Sequence, residues 1–317
     1  MDKQIGLSPM AGYTDAVMRE LSAEWGADFV FSEMISVEGV LRASGRTEEI
    51  VPVTPTRIQL FGSSASRMAK AAMRLSEVAT WIDINAGCPV KKVTRKGAGS
   101  ALLRTPEKIA EMITALKNSI DVPVSVKIRL GNDATDTEKI IYQIIEAKPD
   151  AVFVHGRTVL QGYSGKANWD EIERITKLLH SEGILSFGSG DMFNPEAIAY
   201  ALENYFIDGV LVARGAIGSP WIFKQAKDLI KFGSYEELAP HERLALFLRH
   251  FRRLSEAVGE DQAVRDLRKS FAGYTRNIRH AASLRNEYMK CNSFCEVKKL
   301  FEDLIPDYKT SDRKSVV

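Results

Sequence analysis

A chain of 317 residues with 45% hydrophobic and 26% charged side chains has enough apolar surface to offset the ordering entropy of a large core, which excludes disordered, collagen-like and disulfide-scaffold classes. It exceeds one typical domain and suits an α/β barrel of about 250 residues with a smaller appendage. The net charge of +2 hides an asymmetry: the first 221 residues carry 24 basic and 27 acidic side chains and the remainder 19 and 14, so a slightly acidic body precedes a basic region suited to a polyanion.

In chain order, eight short β-rich runs fall at 4–8, 28–31, 55–61, 81–85, 123–128, 151–155, 184–188 and 209–213. Longer amphipathic stretches separate them, among them 106–119 and 137–147, with apolar residues at three and four spacing and Pro106 near a helix start. This number of alternating βα units predicts an α/β fold, a TIM (β/α)8 barrel over residues 1–235. After Trp221 the β-like runs stop; 240–258, 261–279 and 293–304 read as helices, so a C-terminal all-helical domain is expected over 236–317, with 310–317 a frayed end. The three cysteines, Cys88, Cys291 and Cys295, are too few for a disulfide framework. The start of the chain lacks a signal pattern, and no apolar run approaches the roughly 20 residues of a spanning helix, so a cytoplasmic, monomeric protein without a membrane partner is expected.

A barrel of this kind places its chemistry just after the strands. Those positions hold Pro9-Met10-Ala11-Gly12, Glu33, Gln59, Asn85 to Cys88, Lys127, His155 to Arg157, Gly188 to Asp191 and Arg214-Gly215, nearly all polar or glycine-rich. The last two ends suit a phosphate, where glycines let backbone N–H groups approach and Arg214 supplies a bidentate cation; the same glycines would also serve tight turns. Gln59, Lys127 and His155 fit the carbonyls and the developing negative charge at a flavin's pyrimidine end. Taken singly, Lys127 also suits a Schiff base and His155 a structural role. No second ligand at metal spacing accompanies His155, so no metal is expected. Cys88 follows a strand directly and precedes Lys91, Lys92, Arg95 and Lys96, a cationic rim setting in which a thiol can give a proton or attack as a nucleophile.

The third feature is a basic stripe. Between Gln262 and Arg285 six Lys or Arg face one acid, and at 100° per residue Arg265, Arg268, Lys269, Arg276 and Arg279 fall within about 60° of one line. Tyr274, Phe271 and Tyr288 interleave with it, as in a footprint on a phosphate backbone.

The strings PMAGYTD (9–15), FSEM (31–34), IQLFG (58–62), IDINAGCPVKKVTRKGAGSALL (82–103), VKIR (126–129), HGRT (155–158) and ARGAIGSPWIF (213–223) together resemble the bacterial tRNA-dihydrouridine synthase family, in order across almost the whole chain. The resemblance implies an FMN-bound barrel that reduces uridine in tRNA with NADPH. It implies isoalloxazine contacts at Pro9, Met10 and Ala11, with Gln59, Lys127 and His155 at the pyrimidine end. Ser189, Gly190, Asp191, Ala213 and Arg214 would hold the phosphate, Asn85 and Arg157 the uracil, and Cys88 would protonate C5 after hydride reaches C6. The basic side chains Lys91, Lys92, Arg95 and Lys96 and the five stripe residues would bind tRNA. Ser189, Val159 and Ser270 depart from the family's usual Asn, Arg and His. Three other classes compete: a dihydroorotate dehydrogenase-like barrel acting on a free pyrimidine, a Schiff-base aldolase and a non-catalytic RNA-binding module. The first would not need the basic helix, the second would be colourless, and the third leaves Cys88 and Lys127 unexplained.

Overall fold

In a computed structural model, which describes residues 2–48, 50–133 and 136–304, eight parallel strands close into a barrel in sequence order. They are β1 (Gln4–Leu7), β2 (Phe29–Ser36), β3 (Thr56–Phe61), β4 (Ala79–Asn85), β5 (Val124–Arg129), β6 (Ala151–His155), β7 (Leu185–Ser189) and β8 (Gly209–Val212). The helices around them are α1 (Ala16–Glu24), α2 (Val37–Arg42), α3 (Gly45–Glu48), α4 (Ala65–Arg74), α5 (Lys91–Thr94), α6 (Pro106–Lys117), α7 (Thr137–Glu146), α8 (Trp169–His180), α9 (Pro195–Asn204) and α10 (Ile222–Phe232). Four more follow: α11 (Pro240–Val258), α12 (Glu260–Tyr274), α13 (Ala281–Tyr288) and α14 (Phe294–Leu304). No helix among the described residues is long and apolar enough to cross a membrane. The expected frayed end at 310–317 lies outside the described residues.

Strand alternation sorts the barrel into two cores. Outward residues such as Ile58, Leu60, Ile82, Ile84, Val124 and Val126 pack under the helices. Inward, Phe29, Phe31, Phe153, Phe187 and Leu211 fill the lower barrel, and the Arg57 guanidinium lies over the rings of Phe29 and Trp81 at 4.2 and 4.6 Å. Above them the inward positions turn polar. The register pairs Gln59 with Asp83 and Asp83 with Ser125, and one step higher Asn85 with Lys127.

The helical region has its own core of Phe247, Phe251, Phe271, Tyr288 and Phe301, joined by Val17 and Leu21 of α1 and by Trp221. It therefore sits on the side of the barrel where the chain opens and closes it. Two expected elements differ from the structure. The second strand runs on past 31 to Ser36, so Glu33 lies inside it, where its carboxylate accepts the Gly12 N–H. The helix expected over 261–279 stops at Tyr274. Gly273 meets the turn at Gly218 backbone to backbone, where a Cβ would lie 2.1 Å from the Ile217 oxygen, and Thr275 leaves helical geometry. Arg276 and Arg279 consequently lie beyond the helix rather than along it.

Candidate active site

The upper barrel is organised by one hydrogen-bonded chain. Trp81 Nε1 donates to Ser125 Oγ at 2.7 Å, and Ser125 Oγ donates to Asp83 Oδ1 at 2.6 Å. Gln59 Nε2 donates to Asp83 Oδ2 at 2.7 Å, and Asn85 Nδ2 donates to Gln59 Oε1 at 2.8 Å. Asn85 Oδ1 then accepts from the N–H groups of Gly87 and Cys88 at 3.2 and 3.0 Å. Asn85 is thus spent on the turn that carries Cys88, and Gln59 keeps one amide hydrogen for a ligand. Arg129 holds the same turn from the other side, with Nε to the Gly87 oxygen at 3.0 Å and Nη1 to the oxygens of Thr158 and Gly162. The Cys88 side is half-buried, and its carbonyl accepts from Ser100 N–H at 2.9 Å.

Lys127 rises beside this chain. Burial, with the nearby Arg129 cation, pushes its amine down to about 8 against the opposing pull of Asp83. His155 stays neutral: burial first, then the cations Lys127, Arg129, Arg157 and Arg214, lower it to about 2. Four cations around one neutral imidazole make a site short of negative charge.

The phosphate-type turns lie across the mouth. Ser189 is buried, and its hydroxyl reaches only the Val154 oxygen at 3.4 Å. Gly190 and Asp191 have φ of +129° and +61°. The Asp191 carboxylate points back into the protein, where it accepts from Arg157 Nη2 at 2.6 and 2.8 Å and from Ala167 N–H at 2.8 Å. Among the described residues, the backbone N–H groups of Gly190, Asp191, Arg214 and Gly215 donate to no protein acceptor. The Arg214 guanidinium lies between the rings of Tyr163 and Phe193, 4.8 Å from each, and follows Ala213 at the start of a short 3-10 turn. Arg157 is 2% exposed; Nε and Nη2 are used by Ser164, Gly165 and Asp191, while Nη1 is buried without a protein partner. An orphaned buried donor and unpaired N–H groups, beside two arginines, Arg157 and Arg214, that share the one Asp191 carboxylate, fit a ligand with an anionic end and carbonyl acceptors. On the first strand's loop, Pro9 and Met10 are half-buried and Ala11 exposed, with the Met10 N–H and oxygen tied to Thr14.

The basic residues divide. Lys91, Lys92, Arg95 and Lys96 are exposed on α5 and its following turn and have no ion-pair partner among the described residues. Lys269 leans over the loop after β1, with its Nζ 5.3 Å from the Tyr13 ring centroid, and Arg265 is exposed beside Gln262. Arg268 turns inward instead, giving Nη2 to the Cys291 oxygen at 3.4 Å while its Nε is buried without a partner. Arg276 and Arg279 are exposed, and Arg276 lines a cavity of about 440 Å³ between the barrel and the helical region, with Phe193, Trp221, Arg243 and Asn277. Asp83, Ser125 and Arg129 belong to the site although the positions just after the strands do not include them. Their signal was a polar residue at an inward period-2 position among apolar neighbours.

The family model described as dihydrouridine synthase (Dus) matches residues 6–308. A probable tRNA-dihydrouridine synthase of Treponema pallidum is 34% identical over 313 residues, covering 94% of this chain and 92% of the relative. The tRNA-dihydrouridine synthase B of Pseudomonas aeruginosa is 35% identical over 290 residues, covering 89% and 86%. Among solved structures, a DHODH from Eimeria tenella in complex with ferulenol aligns with a TM-score of 0.50 at 15% identity, covering 73% of this chain and 82% of that one, a likeness of fold.

Proposed function

Because the chain belongs to the dihydrouridine synthase family, we propose that it reduces the C5=C6 bond of uridines in tRNA to 5,6-dihydrouridine, using FMN with NADPH as the reductant and Cys88 as the proton donor. The observation that carries this reading is the Cys88 turn, pinned by Asn85 and Arg129 on one side of a mouth whose other side offers unpaired N–H groups and cations. When bound, the flavin supplies a hydride to uracil C6.

The protein's own residues do the rest. Hydride addition leaves an enolate across C5, C4 and O4, and the Cys88 thiol gives its proton to C5, so one hydride and one proton account for the two hydrogens gained. The resulting thiolate lies within electrostatic reach of Lys127 and Arg129 and recovers its proton from solvent. Lys127, the remaining Gln59 amide hydrogen and one ring N–H of neutral His155 would hold the carbonyl-bearing end of the cofactor. Arg214 and the N–H groups of Gly190, Asp191 and Gly215 would hold its phosphate. Arg157 braces this turn through Asp191 and keeps Nη1 for a carbonyl oxygen of cofactor or uracil.

A uracil stacked in folded tRNA cannot reach a recessed barrel mouth, so the nucleotide must be extruded, at a cost of a few kcal/mol. Cations on both flanks of the mouth hold the backbone while it opens. The purified protein is expected to be yellow, and Cys88→Ala to keep its flavin spectrum and tRNA affinity while dihydrouridine formation, read by mass spectrometry of digested tRNA, falls at least about a hundredfold. Normal turnover in that variant would remove Cys88 from the chemistry.

A further inference from the structure

Asp83 lies on the inner face of β4, two residues below Asn85, and only 1% of its surface is exposed. Its surroundings have a forced direction. An indole N–H can only donate, so the Ser125 oxygen accepts from Trp81 and its hydroxyl hydrogen is free to turn to Asp83 Oδ1. Gln59 Nε2 takes the other carboxylate oxygen. At the far end, the N–H groups of Gly87 and Cys88 can only donate, and both do so to Asn85 Oδ1. Between a carboxylate that cannot donate and backbone groups that cannot accept, the amides of Gln59 and Asn85 can be threaded in one direction only.

We propose that Asp83 is a positioning residue for the reaction: its carboxylate supplies two acceptors to two converging donors and, through Gln59 and Asn85, holds the turn that carries Cys88. An amide at position 83 offers one acceptor where two are demanded. The Ser125 hydroxyl hydrogen and the Gln59 amide then compete for that one oxygen, and when Ser125 takes it two NH2 donors face each other at Gln59 and the chain slackens as far as the Cys88 N–H. The acceptor pair exists only in the ionised form. Burial pushes the Asp83 carboxyl up to about 6, against the hydrogen bonds of Ser125 and Gln59 and the facing Lys127 cation, so that form prevails at neutral pH.

The test uses flavin-loaded protein carrying Asp83→Asn, Ser125→Ala or both. Iodoacetamide alkylation of Cys88, followed by peptide mass without tRNA, reads the turn directly; tRNA turnover reads its consequence and alone rests on the function proposed above. Asp83→Asn is expected to raise the alkylation rate about fivefold and to lower kcat about tenfold, with KM for tRNA held within about twofold. Ser125→Ala should stay within about twofold of the parent in both. In the double variant the single oxygen of the new amide is released to Gln59, so alkylation and kcat should return toward the Ser125→Ala values, which a merely space-filling residue would not produce. An unchanged alkylation rate in Asp83→Asn overturns the proposal. So does a double variant no better than the single one, or failure of both to hold flavin. Inactivity of the parent on tRNA would sink the proposed reaction and leave the alkylation result standing.

Discussion

Gly99 shows how narrowly the Cys88 turn is built. Its φ is +62°, and a Cβ there would lie 2.6 Å from the Cys88 oxygen and 2.9 Å from Val93 Cγ1. Neither the backbone oxygen nor the left-handed conformation tolerates a side chain. Gly99→Ala is therefore expected to cost about 2 kcal/mol in urea unfolding and to push on the Cys88 carbonyl, lowering turnover more than tRNA affinity. An alanine variant with parental stability and kcat would show that the turn can move aside. The same scale separates residues that touch ligand from those that hold others. Asn85 ends β4 and Arg157 follows β6, and both carry suitable groups, yet most of their hydrogen-bonding capacity goes to Ser164, Gly165 and Asp191 in the one case and to the Cys88 turn and Gln59 in the other. Nothing in a strand-end pattern distinguishes a presented amide from a spent one.

Between elements, the barrel and the helical region meet through bare backbone. Gly218, at φ +65°, and Gly273 leave no room for a Cβ, which would come within 2.1 Å of the Ser270 oxygen and of the Ile217 oxygen respectively. Close by, His250 of α11 lies against Tyr274 of α12, Nδ1 to hydroxyl at 2.9 Å, while its Nε2 has no hydrogen-bond partner and stands 3.9 Å from Asp15. Burial lowers the His250 imidazole to about 3, well under its ordinary value. Between about pH 6.5 and 3 the unfolded chain binds a proton at this position that the folded one refuses, so stability falls as pH drops through that window. His155, lowered to about 2, adds to the same slope. Thermal melts from pH 7 to 4 are expected to show this decline, and His250→Gln to flatten part of it. An identical slope in the variant would place the acid sensitivity elsewhere.

For the molecule as a whole, the net charge of +2 is a sum over separated regions. The α5 cations follow β4, and Lys269 stands over the loop after β1, three strands away around the closed barrel. Both lie at the carboxyl rim, on either side of the mouth. Arg268, first in line on a helical wheel, is folded against Cys291, so Lys269 and Arg276 are the better probes of the stripe. Lys269→Glu with Arg276→Glu is expected to weaken tRNA binding and to make the plot of log affinity against log salt shallower by about 2, while flavin reduction by NADPH proceeds at the parental rate. Equal binding at moderate salt would return this surface to an ordinary solvated face.

Local pattern alone determined the eight βα units, the placement of Cys88 and His155 at strand ends, and the helical tail; Lys127, expected just past a strand, lies inside β5, two residues before its end. Period-2 and period-3.6 burial and the glycines of tight turns are properties of neighbouring residues and survive without the rest of the chain. Tertiary structure decided what those residues do for one another. Asp83 meets Gln59 across 24 residues of sequence and Ser125 across 42, and Arg157 meets Asp191 across 34. Such bonds depend on which strands become neighbours and in what register. The end of α12 at Tyr274 was decided in the same way, because a second backbone, far off in sequence, occupies the space beside Gly273.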